Sequence, residues 1–144
     1  MQTEIPTREF NLAIQLGQLR SFYPDSFSQI NDHCELEWRG QLKPSVFSET
    51  YLIDMVYRIG SRPRVAVLEP ELVVPEFRSD IHMFHDNSLC LYFKDEFTKD
   101  MLLAKTIVPW TAEWLIHYEL WLATGEWLGG GIHLSERYSE KDIV

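Results

Sequence analysis

The chain has 144 residues, with 22 Asp and Glu against 13 Lys and Arg, for a formal net charge of -9. A surface this acidic repels phosphate backbones and anionic lipid, which argues against nucleic-acid and membrane partners and favours the approach of a basic protein surface. The length fits a single domain, residues 1–144, burying roughly 68–70% of its unfolded surface.

The two cysteines, Cys34 and Cys90, are too few for a disulfide scaffold. The first residues contain no apolar signal core, and no apolar run approaches the ~20 residues that span a bilayer. These features predict a cytoplasmic protein with both thiols reduced.

In chain order, residues 7–22 read as a helix capped by Thr7 and stopped by Pro24, with Phe10, Ala13, Ile14 and Gly17 on one face and Leu12, Leu16 and Leu19 beside it. From Cys34 the period changes to two. Cys34, Leu36 and Trp38 alternate with Glu35, Glu37 and Arg39, predicting a strand with Cys34 on its buried face as a structural thiol. Residues 50–59 read as a second, central strand, with Tyr51, Ile53, Met55, Tyr57 and Ile59 on one side. Gly60, Ser61, Arg62 and Pro63 form a turn, and residues 64–68 a third strand. Three strands with short links predict an antiparallel meander.

Pro70 and Pro75 frame an irregular stretch. It leads into residues 81–93, Ile-His-Met-Phe-His-Asp-Asn-Ser-Leu-Cys-Leu-Tyr-Phe, the stretch richest in reactive groups. After it, residues 94–99 read as exposed and residues 100–105 as a short helix. A longer helix starts at Pro109 and runs to Thr124, with Trp110, Trp114, Tyr118 and Trp121 on a core stripe, Leu115 and Leu122 adjacent, and Gly125 as its cap. Gly129, Gly130 and Gly131 lack the Lys-Ser or Lys-Thr of a phosphate loop and read as a hinge. Residues 136–144 read as a loose tail. The order of elements is α+β: an N-terminal helix, a β-meander, an irregular thiol-bearing segment and C-terminal helices.

Chemistry alone leaves several readings of Cys90 open. A thiol between Leu89 and Leu91 is compatible with a packed core cysteine. It is also the best nucleophile among the side chains near neutral pH, here preceded by His82, His85, Asp86 and Asn87. His82, His85 and Cys90 with His33 and Cys34 are ligand types that zinc accepts, although paired Cys-x-x-Cys spacing is missing. A Cys/His hydrolase would draw its base from further away, at His117 or His133.

The sequence as a whole resembles the ubiquitin-conjugating (UBC) fold. More closely it resembles the short, standalone UBC-like proteins of bacterial antiviral CBASS operons. The residues carrying this are Trp38-Arg39-Gly40, Leu68-Glu69-Pro70, His82-Met83-Phe84, Leu89-Cys90-Leu91-Tyr92, Pro109-Trp110, Glu113-Trp114-Leu115, Tyr118-Glu119 and Gly125-Glu126-Trp127, over residues 8–133. The resemblance implies that Cys90 is a catalytic carrier. It would take the C-terminus of a partner, a CD-NTase-type cyclic-oligonucleotide synthase, as a thioester and pass it to an amine such as a lysine of an acceptor protein. No cofactor or metal is implied. Met83 and Phe84 replace the Pro and Asn of the family's His-Pro-Asn motif. In the implied assignment His82 orders the loop, His85 or Asn87 contacts the oxyanion, and Asp86 orients the incoming lysine. The alternative is a non-catalytic UBC-like module that holds a partner's tail.

Overall fold

The computed structural model describes residues 11–128. The expectations that fall on Thr7, Phe10, Gly129 to Gly131, His133 and the tail 136–144 lie outside the described residues. The first helix, α1, covers Leu12–Phe22. Asn11 caps it, its side-chain oxygen accepting the Ile14 amide at 2.8 Å, in the role the sequence suggested for Thr7.

The buried stripe of α1 is Leu12, Gln15 and Leu19, while Ile14 on the expected apolar face is exposed. Gln15 belongs in the core because its amide is satisfied at both ends. Nε2 donates to the Met101 carbonyl at 2.9 Å, and Oε1 accepts the Leu103 amide at 2.9 Å. This pair stitches α1 to the chain that leads into the second helix.

The sheet has four antiparallel strands in the order β1-β2-β3-β4: β1 Phe27–Asn31, β2 Glu35–Leu42, β3 Tyr51–Tyr57 and β4 Arg64–Glu69. The strand β1 adds to the three read from sequence. Its inward positions are Ser28 and Ile30, and Ser28 is held by Arg20, whose Nη2 donates to the Ser28 carbonyl at 2.9 Å. A polar inward residue hides the period-two signal on which a strand reading depends. Asp32 and His33, both at positive φ, turn β1 back onto β2. Cys34 belongs to that turn rather than to the strand, so the expected buried structural thiol is exposed.

Inside the sheet, β3 is central and presents Tyr51, Ile53, Met55 and Tyr57 to the core; Ile59, beyond its end, is exposed. On β2 the inner face is Leu36, Trp38 and Gly40. Gly40 is required by contact: a β-carbon there would stand 2.7 Å from the Trp38 Cη2 and closer still to Cζ2.

After β4 come short 3-10 turns at Arg78–Ile81, Lys94–Glu96 and Leu103–Lys105, in place of a regular helix over residues 100–105. The second helix, α2, spans Ile107–Thr124 and ends on Gly125 at φ 81. Trp114, Leu115 and Tyr118 are buried on it and Trp110 and Trp121 partly so, whereas Leu122 is exposed. Among the described residues no helix is long and apolar enough to cross a membrane. This α+β arrangement of helix, antiparallel meander, irregular segment and closing helix matches the UBC-like fold implied by the sequence.

Candidate active site around Cys90

Residues 82–90 close on themselves as a small hairpin. The Cys90 amide donates to the His82 carbonyl at 3.0 Å, Met83 bridges to Leu89, and the Phe84 amide donates to the Ser88 carbonyl at 2.8 Å. Two residues at positive φ, His82 and Asn87, allow the chain to reverse so tightly, and both types tolerate that region better than branched side chains. At the tip, Asp86 Oδ1 accepts the Ser88 amide at 2.9 Å and the Ser88 hydroxyl at 2.6 Å. The spacing of His82 and Cys90 is therefore that of a hydrogen-bonded pair across a hairpin.

Two further bonds fix this hairpin on the scaffold. The Leu89 amide donates to the Val65 carbonyl of β4 at 2.9 Å. The indole Nε1 of Trp114 donates to the carbonyls of Ile81 and His82, at 3.0 and 3.2 Å. The tryptophan stripe of α2 is thus core, as expected, and one of its members also grips the carbonyl that holds Cys90.

The sulfur itself does not stand open at a groove, as a carrier thiol would be expected to. Cys90 is 0% exposed. The packing of Leu89 and Leu91 draws the residue inward, and Arg62 lies over it. Arg62 Nη2 is 3.9 Å from Sγ and donates to the Tyr92 carbonyl at 3.1 Å. Its guanidinium lies 4.9 Å from the Phe84 ring centre and 4.3 Å from that of Tyr92. Arg62 as a residue is exposed. Arg62 is thus a solvent-facing part of the cover, held by two cation–π contacts and a hydrogen bond, each worth about 1 kcal/mol. Displacing it costs about 2–3 kcal/mol on that scale, well below the cost of unfolding a domain.

Arg62 also divides two cavities. One, of about 430 Å³, is lined by Pro63, Arg64, Phe84, His85, Asp86, Ser88 and Leu89. The other, of about 360 Å³, is lined by Tyr57, Gly60, Ser61, Tyr92, Lys94, Phe97 and Lys99. Arg62 is the residue common to both linings, and its Nη2 is the group that reaches the sulfur from them. A cavity of about 660 Å³, which includes His33, Cys34 and Arg58, does not contain Cys90.

The sequence-derived site residues divide accordingly. His82 is buried; its ring packs 5.3 Å from that of Trp127, and its pKa is lowered to about 4 by burial and then by the charge of His117. It is therefore neutral at pH 7. His85 and Asp86 are exposed and line the first cavity. The Asp86 carboxyl is lowered to about 2, first by its bonds from Ser88 and then by Arg64, whose Nε lies 2.9 Å away. Asn87 lines a different cavity, with Leu72 and Met83, and its Oδ1 accepts Arg78 Nε at 2.5 Å. His33 and Cys34 lie by Arg58, and among the described residues no three His, Cys, Asp or Glu side chains converge as metal ligands would. His117 packs against Trp127 at 5.7 Å and pairs with Glu113 at 3.8 Å on α2.

The sequence reading placed Arg62 in a turn and gave it no role. Nothing local marks it, because its position over Cys90 depends on how the β3–β4 loop packs against the hairpin.

No curated protein matches the chain. The family model for the type II CBASS E2 protein matches residues 15–134, which contain α2, the sheet and the whole Cys90 hairpin. Fold and match together place the molecule: the chain belongs to the type II CBASS E2 proteins.

Proposed function

We propose that the protein is a thioester carrier in which Cys90 accepts the C-terminus of a partner protein and passes it to an amine. The observation that carries this reading is the thiol's mounting. Cys90 is locked by its backbone to the His82 carbonyl, and its sulfur touches the Tyr92 carbonyl and the solvent-facing Arg62, which lines two cavities. A rigidly mounted nucleophile beside a movable side chain suits acyl transfer, where positioning supplies much of the rate. A chain end arriving along one cavity and an amine along the other would meet at the sulfur.

Within this reading Cys90 is the nucleophile and His82 orders the loop through its carbonyl. His85 faces the acyl group. Asp86, ionised at neutral pH, attracts the incoming ammonium of a lysine at the cavity mouth. Asn87 serves the turn. The family supports a CD-NTase-type nucleotidyltransferase as the acyl donor and a lysine-bearing protein as acceptor.

The full burial of Cys90 favours a second reading, a UBC-like module that holds the partner's tail without a covalent bond. Mixing the chain with a nucleotidyltransferase partner whose C-terminal residue is supplied as a thioester of mercaptoethanesulfonate, and running gels with and without reducing agent, separates the two. A carrier gives an adduct that thiols dissolve, that Cys90→Ser converts to a reductant-resistant ester and that Cys90→Ala lacks. Binding that Cys90→Ala leaves unchanged, with no adduct in the parent, identifies the module.

A further inference from the structure

We infer that Arg62 is a catalytic residue of this site, the group that stabilises the oxyanion formed when Cys90 is acylated. The inference rests on the carrier reading and supplies what the missing Asn of the His-Pro-Asn pattern leaves open. When the Cys90 thiolate attacks a thioester carbonyl at a partner's C-terminal residue, the new C–S bond forms with the sulfur's electron pair. The carbonyl π pair moves onto oxygen. The intermediate collapses as that pair returns and the leaving thiolate departs with the electrons of the broken C–S bond. During this sequence negative charge sits on an oxygen one carbon removed from Sγ.

An N–H donor 3.9 Å from the sulfur reaches an oxygen in that shell at ordinary hydrogen-bond length. Arg62 Nη2 occupies this position, and its orientation is preset. The guanidinium lies over the rings of Phe84 and Tyr92, and the Tyr92 carbonyl holds Nη2 at 3.1 Å. Of the two sequence-derived donors, Asn87 faces another cavity, and His85 is exposed on the lining of the first cavity, whereas Arg62 reaches Sγ directly. The guanidinium lifts to admit the acyl group and then settles on its oxygen, so cover and donor are one side chain. A cation that hydrogen-bonds the developing oxyanion lowers an acyl-transfer barrier, usually by the largest single contribution.

The test compares two reactions of the same sulfur in the full chain carrying Cys34→Ser. One is acylation by the N-acetylglycyl thioester of methyl thioglycolate, an uncharged donor, which passes through an oxyanion. The other is alkylation by iodoacetamide, which does not. Both are followed by intact mass, and access and thiolate fraction cancel in the ratio of their rates. Removing one oxyanion donor from an enclosed site costs about 10²–10³ in rate. At this more open site Arg62→Met and Arg62→Gln are expected to lower the acylation-to-alkylation ratio by about tenfold. Arg62→Lys, which keeps the charge, is expected to recover most of it. A fall below fivefold in both neutral variants overturns the assignment, as does an Arg62→Lys ratio as low as that of Arg62→Met. The adduct with the protein partner is scored separately, so the carrier reading can survive the loss of this role for Arg62.

Discussion

The indole of Trp114 donates to the carbonyl of His82 at 3.2 Å, and that same carbonyl receives the amide of Cys90 at 3.0 Å. One oxygen therefore joins the core of α2 to the candidate nucleophile. Trp114→Phe keeps most of the packing but removes the donor, leaving the carbonyls of Ile81 and His82 short of a partner. The expected cost is about 2–4 kcal/mol from the lost bond and the small void. Native-state hydrogen exchange should show lower protection at the Cys90 amide than at the β3 amides. Equal loss at both would mean that Trp114 supports the domain generally and not this hairpin.

Gln15 makes a comparable link at the other helix. Gln15→Leu removes both of its bonds and strands the Leu103 amide and the Met101 carbonyl in a buried place. An unsatisfied buried backbone group costs about 1–3 kcal/mol, so urea titration should show a loss of about 2–5 kcal/mol despite the added apolar volume. A stabilised Gln15→Leu would show that the two backbone groups find water or other partners.

The two thiols should differ sharply in reactivity. Cys34 is exposed beside Arg58, whose Nη1 lies 3.8 Å from its sulfur, while Cys90 lies under Arg62. Iodoacetamide followed by peptide mass analysis should label Cys34 first, with Cys90 at least about tenfold slower, given a cover worth about 2–3 kcal/mol. Arg62→Ala should raise the Cys90 rate by about tenfold or more, on the same 2–3 kcal/mol scale, and leave Cys34 unchanged. If Cys90 labels only at the rate of global unfolding in both proteins, the cover is the whole core and not one side chain.

How far these features were legible in the sequence depended on the kind of interaction. Strands β2 to β4 follow alternation of apolar residues, and the stripe of α2 follows helical spacing, so local pattern was sufficient. Strand β1 and the true stripe of α1 depend on Ser28 and Gln15, polar residues whose burial is balanced by partners distant in sequence. The exposures of the two cysteines ran opposite to expectation for the same reason. The turn at Asp32 and His33 takes Cys34 out of the strand, and the β3–β4 loop lays Arg62 across Cys90. The ordered motifs of the family resemblance pointed to the Cys90 segment, while the cation beside it came from tertiary packing alone.

The site should also be sensitive to acid through His82. Its pKa is lowered to about 4 from the ordinary 6.5, so the unfolded chain binds the proton more readily than the folded one. Stability from this residue is complete above pH 6.5, falls as pH drops towards 4, and is lost below that, with a total of about 3 kcal/mol. Among the described residues, Trp127 lies against its ring, and His117, paired with Glu113, lies against Trp127. Asp86 works in a lower window, losing its contribution only as pH falls from 3.8 to about 2. Denaturant midpoints measured from pH 7.5 to 4.5 should therefore fall steadily in the parent. In His82→Asn, which tolerates the positive φ and carries no titrating ring, the fall should be much shallower. An identical slope in the two proteins would place the acid sensitivity elsewhere. Because the His82 carbonyl holds the Cys90 amide, protonating this ring should loosen the thiol's mounting before the sheet gives way, and Cys90 alkylation relative to Cys34 should rise over the same pH range.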